Sequence, residues 1–142
     1  MITSESVDNL VKAFQNKSLP EKAWTHEAHL TVGLWYLTHY TKDQATCHLR
    51  SGIITYNASL GGKNDHQSGY HETMTLFWIW LLDQYLQRHK GDLIALIEQF
   101  LKSKYSSARL PFLFYSKDYL MSTQGRAAWV KPNLQGLNFD LI

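Results

Sequence analysis

Two short stretches of this chain set imidazoles and carboxylates side by side at the mouths of apolar segments. "WTHEAHL" runs from Trp24 to Leu30, and "GYHET" runs from Gly69 to Thr73. His26 and His29 are three residues apart, a spacing that puts both rings on one face of a helix. His71 opens the second apolar segment. If the two segments pack together, three imidazoles can surround one divalent ion, and neutral imidazole suits Zn or Fe. Such an ion lowers the pKa of a bound water toward about 7, which makes hydrolysis the simplest reaction. Oxygen chemistry at iron is the other route. Glu27 and Glu72 each follow a histidine by one position. Either can act as a general base or as a carboxylate that orients a ligand. Adjacent helical residues point about 100° apart, so His71 is expected inward and Glu72 toward the rim.

The same residues admit a metal-free reading. Neither stretch is a zincin motif: Thr75 stands where "HETMT" needs its second histidine, and "HEAH" is one residue short. The Glu-x-x-His ligand set of di-iron bundles is also missing. A pocket for an anion or a small polar molecule accounts for the cluster as well as a metal does. Trp24, Asn57, Tyr70, Thr73 and Arg126 are the candidate ligand-binding residues. Arg126 can clamp a carboxylate or a phosphate, and its plainer role is a surface pair with Asp118. Asn64 and Asp65 read as turn formers. Cys47 and His48 diverge on a helix, so Cys47 reads as a buried inert thiol. His39 and His89 fall near helix ends, where rings meet terminal carbonyls.

The elements that must hold these residues are helical. Val7, Leu10, Val11 and Phe14 mark one face of a first helix. Ser18 with Glu21 is a candidate capping box for the second, and Thr25 is a rival N-cap. That helix runs to about Tyr40. A third begins at Thr41 or Asp43, with Ala45, Leu49, Ile53 and Tyr56 on its apolar stripe. "SLGGKNDHQSG" is the clearest loop, expected to be mobile and at the pocket rim. The fourth helix spans about Tyr70 to His89, and its apolar residues nearly circle the axis, so it is expected to be the most enclosed. "DLIALIEQFLKS" makes a fifth. The remainder mixes Pro, Gly and large apolar groups, with short helices expected around 117–122 and 125–130 and a tail lying over the bundle. The predicted class is all-α: a single-domain bundle of about five main helices with a less regular C-terminal segment. Its core should hold Leu30, Leu34, Leu37, Leu49, Ile53, Leu76, Phe77, Trp80, Leu81, Leu96 and Phe100.

"LPEKAWTHEAHLTVGLWYL", "RSGIITYN", "GYHETMTLFW" and "SKDYLMSTQGRAAWVKPNL", in this order and spacing, resemble a family of small bacterial proteins of unknown function. The resemblance covers most of the chain and rests chiefly on "WTHEAHL" and "GYHET". It implies a single-domain member in which the C-terminal piece belongs to the fold. It marks Trp24, His26, His29, Asn57, Gly69, Tyr70, His71, Glu72 and Thr73 as motif positions, with Arg126, Trp129 and Pro132 in the last segment. The family carries no established activity, so the resemblance implies no catalytic role.

Composition narrows the function classes. The 142 residues are 44% hydrophobic and 18% charged, which fits a globular chain with its own core. Net charge is +2 without a basic stripe, so nucleic acid is not the expected partner. One cysteine rules out a disulfide framework within the chain. The start lacks a signal-peptide pattern, and the longest apolar run falls far short of the roughly 20 residues of a membrane span. A cytoplasmic protein with a small-molecule ligand is expected, with self-association left open for the Trp35, Trp78 and Trp80 surfaces.

Overall fold

Each long helix begins where a polar side chain can accept a backbone N–H. In the computed structural model, which describes residues 2–142, Thr3 caps α1 (Ser4–Gln15) and Thr25 caps α2 (His26–His39). Thr41 caps α3 (Lys42–Ser59) in a capping box with Gln44. His71 caps α4 (Glu72–Arg88), and Asp92 caps α5 (Leu93–Lys102). Two short helices follow, α6 (Lys117–Leu120) and α7 (Thr123–Ala127). Among the described residues there is no strand. The protein is an all-α, single-domain bundle of five main helices, as the apolar periodicity predicts. No helix among the described residues is long and apolar enough to cross a membrane.

The Ser18–Glu21 capping box does not form. Glu21–Ala23 is a single 3₁₀ turn entered from Pro20 without a side-chain cap, and the second helix starts at Thr25.

The centre of the bundle is α2, not α4. It packs against α1, α3, α4 and α5, and every residue from Leu30 to Leu34 is buried. Small residues make this enclosure possible. A Cβ on Gly33 would stand 2.6 Å from Leu82 Cδ1, so glycine lets α2 and α4 approach closely. By contrast, α4 carries Trp78 and Trp80, which are too large to be covered on every side and stay half-buried. Of the expected core, Leu30, Leu34, Leu49, Phe77, Leu81, Leu96 and Phe100 are buried, while Leu37, Ile53, Leu76 and Trp80 are partly so. Cys47 is exposed rather than buried: it lies at a surface groove beside Phe14 and Tyr36 instead of in the core.

The irregular C-terminal segment contributes to the core through Leu110, Phe114, Tyr115, Leu120 and Val130. Thr73, fully buried on α4, anchors it. Its hydroxyl is 2.6 Å from the Gly125 carbonyl and 3.0 Å from that of Ala128, and it accepts the Val130 N–H at 3.2 Å. Tyr115 donates its hydroxyl to the Val130 carbonyl at 2.8 Å. The tail closes over the bundle where Phe139 stacks on Tyr105 at 4.6 Å and lies beneath the Arg88 guanidinium.

Candidate functional site

A cleft of about 840 Å³ lies between α2, α3, α4 and the loop of residues 60–70. Its walls are mainly apolar, from Leu30, Leu49, Ile53, Met74, Ile79 and Leu82. His26, His29 and His71 all line it, together with Trp24, Asn57, Tyr70, Thr75 and Trp78. The two histidine stretches therefore reach one cavity. What each ring can do there depends on its hydrogen bonds.

His71 is fully engaged. Its Nε2–H donates to the Leu120 carbonyl at 2.8 Å, and its Nδ1 accepts the Met74 N–H at 3.0 Å. One nitrogen thus ties α4 to the C-terminal segment while the other caps α4. Burial pushes the ring below its ordinary pKa, and the nearby Arg126 charge acts the same way, against the bond to Leu120.

His29 has one nitrogen to spare. Its Nδ1–H donates to the Thr25 carbonyl at 2.6 Å, one helical turn back. Its ring lies against Trp24 with centroids 3.8 Å apart, and Trp24 in turn stacks on Phe14 of α1 at 4.7 Å. Burial holds the imidazole below its ordinary pKa, outweighing the bond to Thr25, and His26 nearby adds to the effect. The neutral ring is therefore fixed in orientation and tautomer with its Nε2 lone pair uncommitted. His26 donates from Nε2 to the Ser106 carbonyl at 2.8 Å and packs edge-on to Trp78. Its Nδ1 is the ring nitrogen left over.

The carboxylates stand apart from this chemistry. Glu72 turns away from the cleft into a two-pronged pair with Arg50, at 2.9 Å from Nε and 2.7 Å from Nη2. Tyr70 donates its hydroxyl to the same carboxylate at 2.5 Å. Burial alone would raise the Glu72 pKa, but the Arg50 and Tyr70 bonds reverse this and hold it below the usual range. A carboxylate stabilised as an anion is a poor base near neutral pH. Burial and the bond to Glu72 push the Tyr70 phenol up to about 12. Glu27 is exposed on α2 and does not line the cleft.

Arg126 meets neither an anion nor Asp118. Its Nη1 donates to the Gly69 and Tyr70 carbonyls at 3.1 and 3.4 Å and holds the approach to α4. Thr73 serves the C-terminal anchor described above rather than the cleft. Asn57 lines the cleft and turns its amide nitrogen to Asn64 Oδ1 at 3.2 Å. Asn64 also accepts the Tyr70 N–H at 2.9 Å and donates to the Ile54 carbonyl at 3.0 Å. Asp65 Oδ1 accepts the Gln67 and Ser68 N–H groups, so the loop at the rim is laced internally. Gly69 fits this lacing because φ is +82° and a Cβ would lie 2.2 Å from the Lys63 carbonyl oxygen.

A three-histidine ion does not fit this arrangement. A ring ligates through a lone pair, and the one on His71 is engaged by the α4 backbone. Among the described residues no group of three His, Cys, Asp or Glu side chains is placed to hold one ion. Sequence reasoning missed Arg50, and it read Asn64 as a turn former, which is the loop role it plays. Arg50 lies 22 positions before Glu72, and no local pattern links them. No protein-family model, curated protein or solved structure matches the chain.

Proposed function

We propose that the cleft is a metal-free binding site for a small molecule, with His29 as its principal polar contact. The observation that carries this reading is the uncommitted Nε2 of a neutral, rigidly held imidazole in an otherwise apolar cavity. The volume of about 840 Å³ lies within the range of small-molecule sites, and such sites combine apolar walls with a few placed polar groups. The second reading is a metal-dependent enzyme using Zn or Fe. It is favoured by one feature: His26 and His29 each keep a ring nitrogen on the same cleft. It requires His71 to give up the α4 cap, which is why it ranks second.

The test is a thermal-shift survey of neutral, anionic and cationic small molecules on wild-type protein and on Ile53→Trp, which fills the cleft. A ligand at a hundred times its Kd stabilises by about 2.7 kcal/mol. At least one class should raise Tm in the wild type and leave Ile53→Trp unmoved. Equal shifts in both proteins, or none in either, would remove the cleft from consideration. Stoichiometric Zn or Fe in freshly purified protein, lost on His29→Ala, would favour the metal reading instead.

A further inference from the structure

The cleft holds more than an apolar volume, because four of its polar residues share one character. His29 gives its only N–H to Thr25, and His26 gives its Nε2–H to Ser106. Tyr70 gives its hydroxyl proton to Glu72, and Asn57 turns its amide nitrogen to Asn64. Each of these residues lines the cleft, and each has a donor directed at the protein. The lone pair of His29 Nε2 is thereby offered to whatever enters. Donors on the wall include the indoles of Trp24 and Trp78, the Thr75 hydroxyl and the exposed Lys63 ammonium.

Charge narrows the occupant further. The fixed charges on the wall are Glu21 and Lys63, one of each sign and both exposed. Arg50, which reaches the first turn of α4, is already paired with Glu72, and Arg126 is bonded to the Gly69 and Tyr70 carbonyls. An anion would exchange its hydration for one exposed ammonium, and burial without a partner is costly. A cation fares no better. A carboxylate or an ether brings no proton to His29. A hydroxyl donates one and can still accept from an indole.

Building on the small-molecule reading above, we infer that the cleft takes neutral hydroxylated molecules with an apolar body, the phenol and alcohol class, with the hydroxyl donating to His29 Nε2. The Phe14–Trp24–His29 stack fixes the acceptor in place before binding, which favours discrimination by a single group.

Calorimetric titration with three probes of one body tests this: para-tert-butylphenol, para-tert-butylanisole and para-tert-butylbenzoate. The phenol should bind about tenfold more tightly than the anisole, the factor one good hydrogen bond supplies. The benzoate should be weakest. His29→Phe, which keeps a flat ring against Trp24, should bring the phenol down to the anisole, and His29→Gln, which returns an acceptor oxygen, should recover part of the gap. Equal binding of phenol and anisole by the wild type would overturn the inference and leave the small-molecule reading standing. Tightest binding of the benzoate would also overturn it, in favour of an anion site. No binding by any probe would count against both readings.

Discussion

At the scale of single residues, the three histidines are alike in type and different in role. His71 is an N-cap and a tie to Leu120, so its loss should be felt in stability first. His71→Ala should cost about 2–3 kcal/mol, from the missing cap and the orphaned Leu120 carbonyl. His71→Asn, which can still cap, should cost less; urea denaturation measures both, and an ordering reversed between them would contradict the capping role. Protonation links the same residues to pH. Folding lowers the pKa of His29 and His71 from the ordinary 6.5. As pH falls through 6.5, the unfolded chain takes up protons before the folded rings do, so stability present above that pH declines until the folded rings are protonated too. Glu72 adds a second loss below its ordinary 4.5, because its folded pKa is depressed. Denaturation midpoints measured across this range should fall in that order, and His71→Asn should flatten the first decline. A midpoint that rose on acidification through 6.5 would reverse the sign of the argument.

At the scale of elements, the cleft depends on how α2, α4 and the rim loop are held. Gly33 and Leu82, in close contact across α2 and α4, form part of its wall, and the loop that Asn64 and Asp65 lace together lies at its rim. Gly69→Ala should open that loop, since a positive φ costs a non-glycine residue about 1–3 kcal/mol before the clash with Lys63 is counted. Limited proteolysis should cut the variant between residues 61 and 69 faster than the wild type, while far-UV helicity is kept. Equal cutting rates would show that the loop is already open. The helices themselves were legible from periodicity and caps: Thr25, Thr41 and the stripe from Ala45 to Tyr56 each announce what they do. The C-terminal core was not. Phe114, Tyr115, Leu120 and Val130 follow no helical or strand period, and they are collected by Thr73, whose partners are backbone atoms of residues 125, 128 and 130.

At the scale of the whole molecule, the bundle brings two histidine stretches to one cavity and then differentiates them. The meeting of "WTHEAHL" with "GYHET" could be read from spacing, because polar groups at the mouths of apolar helices need partners. The division of labour could not. The partners of His26, His29 and His71 are the carbonyls of Ser106, Thr25 and Leu120, and a carbonyl has no letter in a sequence. Glu72 was misjudged as a base for a related reason: Arg50 reaches it from another helix. The central claim is that His29 Nε2, an uncommitted acceptor of a kind His71 lacks, receives the hydroxyl of a neutral ligand. The histidine ring-nitrogen NMR spectrum near neutral pH, recorded with and without para-tert-butylphenol, tests it most directly. The account predicts a neutral His29 protonated at Nδ1, whose Nε2 resonance moves on addition of the phenol, while both His71 nitrogens stay where they were. A His29 already protonated on both nitrogens, or a His29 resonance unmoved while those of His71 shift, would contradict it.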